Sequence, residues 1–170
     1  HDQSSAASDV YKRQDLGSRL AEWPVNHCVK VLAPLRTDDP EDLITHHETS
    51  LVDLADACRQ TGHEFLLEII NGRAGKPADP DQIHTLMVRM YELGVMPDWW
   101  KLEPIAEAAF WARAGDIVRA HDPHLQGIIV LGKEMPDEQL VKVLGMARGE
   151  PLVRGFAIGR TIFSLSLIHI

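Results

Sequence analysis

Apolar residues in this chain come in short runs, each followed by a loop and then by an apolar stripe at helical spacing. The first run, HCVKVLAPL (27–35), is apolar and rich in β-branched residues, which predicts a buried strand. TDDPEDL after it predicts a helix start, with Asp39 as N-cap, Pro40 at the first helical position and acidic residues in the first turn. Ile44, Leu51, Leu54, Ala55 and Cys58 share one face of that helix, and Gly62 ends it.

The same unit recurs along the chain. EFLLEII (64–70) predicts the second strand and NGRAGKPADPD a loop. Pro80 opens a helix whose apolar face is Ile83, Leu86, Met87 and Met90, closed by Gly94. WWKLE (99–103) predicts the third strand, with a helix from about Ile105 to Ala120 behind it. GIIVLG (127–132) predicts the fourth, MPDEQLVKVLGMARG a helix ending near Gly149, and VRGFAIG (153–159) the fifth strand.

Strict alternation of near-continuous apolar strands with amphipathic helices implies an α/β fold with a parallel sheet covered by helices. A doubly wound sheet and part of a (β/α)8 barrel both fit. No GxGxxG or GxxxxGK[ST] follows a strand, so a nucleotide-binding sheet has little support. About five βα units between Asp15 and Phe163 fall short of the ~250 residues of a complete barrel. The expectation is therefore the C-terminal part of a TIM barrel, its N-terminal strands missing. Residues 1–14 and 164–170 share no pattern with the interior and read as non-native tails, although FSLSLIHI also alternates like a strand.

Composition narrows the function. A net charge of −8 and no basic stripe argue against a nucleic-acid partner, while an anionic small molecule needs only a few local cations. No apolar run reaches the ~20 residues of a membrane helix, and the first residues lack the apolar core of a signal peptide. Cys28 and Cys58 have no metal spacing and read as reduced core thiols of a cytoplasmic protein. The histidines, among them His46, His47, His121 and His124, form no ligand motif, so no metal is expected. Trp23, Trp99, Trp100 and Trp111 read as packing residues, with Trp99 also able to line a pocket.

The charges inside the strands change the picture. Alternation puts Trp99, Lys101 and Glu103 on one side of the third strand, and Glu64, Leu66 and Glu68 together on the second. In a barrel the fully apolar side faces the helices, so Lys101 and Glu68 would meet on the axial side, near the strand ends where barrel active sites lie. An amine in an apolar wall favours its neutral, nucleophilic form and can form a Schiff base; an adjacent carboxylate can move the protons this requires. A buried ion pair without chemistry weighs about equally on spacing alone. Gly132 with Lys133, and Gly159 with Arg160, end the last two strands where barrels often hold phosphate, against the plain reading of turns with solvated charges. Arg36, Arg73 and Lys76 are weaker candidates in earlier loops.

DLGSRLAEWP, ACRQTGHEFLLEII, PDWWKLEP, GIIVLGKE and VRGFAIGRTIF together resemble the aldolase-like domain fused behind 5-dehydro-2-deoxygluconokinase in bacterial inositol catabolism. That domain is similar to the class I tagatose-bisphosphate aldolases. The resemblance implies Lys101 as the Schiff-base lysine, Glu68 as the proton-transfer carboxylate and Glu103 in a supporting role. It places Gly132, Gly159 and Arg160 where the aldolases bind a substrate phosphate. The implied reaction cleaves 2-deoxy-5-keto-gluconate 6-phosphate to dihydroxyacetone phosphate and malonate semialdehyde, with no cofactor. It also implies a fused kinase domain, and a homo-oligomer is compatible with it. The chain departs from the pattern at LGKE, where the aldolases carry a serine, and it contains no kinase catalytic motif. A catalytically silent sugar-phosphate-binding barrel that regulates or scaffolds the kinase is the rival expectation.

Overall fold

A computed structural model describes residues 16–132 and 135–157. A short helix, α1 (16–21), precedes β1 (Val29–Pro34), α2 (Glu41–Thr61), β2 (Phe65–Ile70), α3 (Pro80–Glu92) and β3 (Trp99–Leu102). Then come α4 (Ala108–His121), β4 (Gly127–Leu131), α5 (Asp137–Ala147) and β5 (Val153–Ala157). Each predicted strand and helix is present, most with shorter ends; the last two residues predicted for β5, Ile158 and Gly159, lie outside the described residues. The tails read from sequence at 1–14 and 164–170 lie outside the described residues, as do Lys133, Gly159 and Arg160.

All neighbouring strands pair in parallel, in the order β1-β2-β3-β4-β5. The order never reverses among the described strands, so they contain no switch point of the doubly wound kind. Right-handed crossovers in a sequential sheet put the connecting helices on one face. Burial agrees: Val29, Ala33, Phe65, Leu67, Ile69, Trp100, Leu102, Ile128 and Val130 are all buried with the apolar stripes of the helices. Leu32, on the opposite face, stays 47% exposed.

Helix starts follow local chemistry. The Asp79 carboxylate accepts from the Asp81 and Gln82 amides, and Pro80 fills the first turn of α3. Gly62 takes φ 75° to end α2, a left-handed conformation that suits glycine. Asp39 corrects the sequence expectation: Pro40 is the N-cap of α2, and no side chain caps it. The Asp39 carboxylate is taken instead by the Arg36 amide at 2.8 Å and by Arg73 at 2.7 Å. Helix α4 starts three residues later than predicted, because the Trp111 indole N–H donates to Ile105 O at 2.9 Å and pins that segment outside the helix.

Two packing expectations also change. Cys28 is exposed, because it lies just ahead of the first paired residue of β1, whereas Cys58 is buried on α2. Trp23 is 51% exposed in the turn after α1, while Trp100 and Trp111 are fully buried.

Candidate functional site

Strand register brings Glu68 of β2 directly beside Lys101 of β3. The Lys101 ammonium donates to Glu68 Oε2 at 3.2 Å. That same oxygen lies 2.5 Å from Nζ of Lys30 on β1, whose strand partner is Leu66. One carboxylate oxygen on the central strand of three therefore bridges two lysines from its neighbours. The Glu68 side chain is 3% exposed, Lys101 14% and Lys30 46%, so the two amines reach the carboxylate from different depths.

Sequence reasoning placed Lys101 and Glu68 together, and the structure does so. It passed over Lys30, although VKVLAP carries the same signal as WWKLE: a lone lysine inside an apolar strand, on the side opposite the helix-packed positions. Period-2 alternation puts Lys30 on the face of Glu68 only once the register of β1 against β2 is known.

Glu103 is buried at the end of β3, and its Oε2 accepts from the backbone N–H of Asn71 at 2.6 Å and of Gly72 at 2.8 Å. It thus fixes the exit of β2, three residues beyond Glu68. Arg36 is buried as well. Its guanidinium donates to Asp38 Oδ1 at 2.7 Å, Asn71 O at 3.1 Å and Pro77 O at 3.3 Å. These bonds tie the β1–α2 loop to the β2–α3 loop and use Nε and Nη1 of the guanidinium that the sequence offered to a phosphate. The Gly132 amide donates to Ala157 O at 2.8 Å, within the β4–β5 ladder. The absent side chain, not the amide, is what this glycine offers to a ligand.

Arg73 and Lys76, in the β2–α3 loop, reach back to Asp39 and Asp38 at 2.7 and 2.9 Å. Hydrogen bonds from Lys76 and then Arg36 hold the Asp38 carboxyl well below the ordinary range, at about 2. Arg73 lowers Asp39 in the same way. Trp99 sits at the opposite end of β3, its indole N–H donating to Glu64 Oε2 at 3.2 Å. Among the described residues no group of three or more His, Cys, Asp or Glu side chains is placed to hold a metal ion. No described helix is long and apolar enough to cross a membrane.

A family model described as "Uncharacterized protein conserved in bacteria (DUF2090)" matches residues 3–167. No curated protein matches the chain.

Proposed function

The chain belongs to this uncharacterized bacterial family, and we propose that it is the aldolase part of a (β/α)8 barrel, using Lys101 as a Schiff-base nucleophile. The observation that carries the reading is the single Glu68 oxygen shared by Lys101 and Lys30 inside a parallel sheet. Imine formation needs a neutral amine, then proton delivery to the departing hydroxyl, then a proton moved again as the carbon–carbon bond opens. A carboxylate in contact with the nucleophile can do this shuttling. Lys30 Nζ stays in contact with the same Glu68 oxygen while Lys101 reacts.

In the proposed reaction Lys101 Nζ attacks the ketone of a phosphorylated keto sugar acid, and loss of water gives the iminium. The iminium accepts the electron pair as the C–C bond breaks, leaving an enamine on Lys101 and releasing an aldehyde. Protonation and hydrolysis of the enamine return the free amine and a ketone phosphate. The substrate that the resemblance implies, 2-deoxy-5-keto-gluconate 6-phosphate, would yield dihydroxyacetone phosphate and malonate semialdehyde. In this reading a kinase domain accompanies the barrel in the intact protein, and Lys133, Gly159 and Arg160 serve the phosphate.

A silent barrel that binds a sugar phosphate without cleaving it is favoured by one observation. Both lysines already have a carboxylate partner, as in a purely structural ion network. Incubation with dihydroxyacetone phosphate and borohydride, followed by peptide mass mapping, separates the two. The aldolase reading expects a reduced adduct on Lys101 that Lys101→Arg abolishes. A folded protein that binds the phosphate but gives no adduct would leave the silent reading standing.

A further inference from the structure

The loop between β2 and α3 is built as a rigid root with an exposed tip. At the root, Asn71 is fully buried and its side chain spans the loop: Oδ1 accepts from Asp79 N at 2.8 Å, while Nδ2 donates to Leu35 O at 3.1 Å and Gln82 Oε1 at 3.2 Å. Glu103 holds the Asn71 and Gly72 amides. Both ends of the loop are therefore fastened to the sheet beside the Glu68–Lys101 pair. Glu68 lies three residues before Asn71 and Lys101 two before Glu103.

The tip, 73–77, is exposed. It is a tight turn closed by paired backbone bonds between Arg73 and Lys76, at 2.8 and 2.9 Å, with Gly75 at φ 76° where a β-carbon would strain the backbone. Its side-chain ties to the rest of the molecule are charge pairs. Arg73, 45% exposed, bonds both oxygens of Asp39 at 2.7 Å, and Lys76, 56% exposed, bonds Asp38 at 2.9 Å. The Lys76–Asp38 pair, exposed on both sides, contributes little to stability. The Asp39 side chain is only 6% exposed, so Arg73 is held more firmly, and through Nη2 alone. Arginine is the side chain best matched to a carboxylate, and Arg73 already holds one here, supplied by the protein itself.

We propose that Arg73 and Lys76 recognise the carboxylate end of the substrate, Lys76 exchanging Asp38 for it while Arg73, kept on Asp39 through Nη2, donates from its other nitrogens. This rests on the keto-acid reading above, and it assigns the acid group of that substrate to the β2–α3 loop. The phosphate end would then lie toward β4 and β5, on the other side of Lys101, so the two anionic ends would be read from opposite sides of the nucleophile.

The test uses the full chain and hydrogen exchange of 73–78, with glycerate, glycerol 3-phosphate and glycerol as probes. None of the three has a ketone, so the response is independent of imine formation. Glycerate is expected to slow exchange at the tip and glycerol to leave it unchanged. Arg73→Gln with Lys76→Gln should weaken the glycerate response at least tenfold. An unchanged tip with glycerate, an equal response in the double variant, or a response to glycerol 3-phosphate alone would each overturn the proposal. A glycerate response without a borohydride adduct would remove the imine chemistry and keep the carboxylate site. An adduct without a glycerate response would do the reverse.

Discussion

Gly115 of α4 faces the carboxylate of Glu150 so closely that a β-carbon on the glycine would lie 2.2 Å from Oε2. Glu150 has little room to retreat. It is buried, accepts from Arg119 at 2.9 and 3.1 Å, and caps the approach to β5 through the Leu152 amide at 3.0 Å. Alanine in place of a mid-helix glycine normally adds up to about 1 kcal/mol. Here overpacking, about 1–3 kcal/mol, and the displaced Glu150 bonds oppose that gain. Gly115→Ala is expected to lower stability by about 1–2 kcal/mol in a urea titration, and equal or higher stability would show that Glu150 swings aside.

The two thiols should differ in reactivity. Cys28 is exposed, but partial burial, followed by the nearby carboxylates of Glu64 and Asp98, raises its thiol above the ordinary value. Cys58 is buried, and burial pushes its thiol up to about 11. Thiolate is the reactive form. Alkylation of the native protein at pH 8, followed by mass mapping, should modify Cys28 slowly and Cys58 only after denaturant is added. Rapid labelling of Cys58 without denaturant would mean that the C-terminal end of α2 opens readily.

Periodicity made the strands and helices legible because both faces of each element had a clear fate. Phe65, Leu67 and Ile69 pack under helices, and Ile83, Leu86, Met87 and Met90 pack under the sheet. The Lys101–Glu68 contact was legible for the same reason, since charges on an otherwise apolar strand mark its other face. What alternation cannot give is register. Lys30 entered the site only through the pairing of β1 with β2, and Asp39 lost its capping role to Arg73, thirty-four residues away. Cys28 falls outside the strand because the run that predicts a strand from 27 pairs only from Val29.

His84 gives the molecule an acid-sensitive contact between α3 and α4. Its ring stacks on Phe110 at 4.7 Å, and Nε2 donates to Phe110 O at 3.0 Å, which leaves Nδ1 buried with no partner. Burial first, and then the charge of Arg113, hold the imidazole below its ordinary value, against the carboxylate of Asp81. A histidine depressed in the folded state binds its proton later than in the unfolded chain. The unfolded state therefore gains protons first as the pH falls, and stability drops from about pH 6.5 downward until His84 itself titrates. Thermal midpoints at pH 7.5 and 5.5 should fall less in His84→Gln than in the parent protein. An equal fall in both would show that His84 takes up its proton without disturbing the helix pair.

The shared oxygen of Glu68 makes the three charges a unit, and a double-mutant cycle can measure it. Glu68→Gln leaves the Lys30 and Lys101 ammoniums facing an amide that neutralises neither. Breaking a buried pair costs about 3–5 kcal/mol. Lys30 is nearly half solvated, so the expected loss is about 1–3 kcal/mol. Lys30→Met alone should cost under about 1 kcal/mol, because Glu68 keeps Lys101. Combined with Glu68→Gln it removes one of the two stranded charges, so the pair should lose less than the sum of the single changes. Urea titrations of the four proteins test this. Strict additivity would mean that Lys30 is held by solvent and lends no charge to Glu68, and that Lys101 alone is the amine the carboxylate serves.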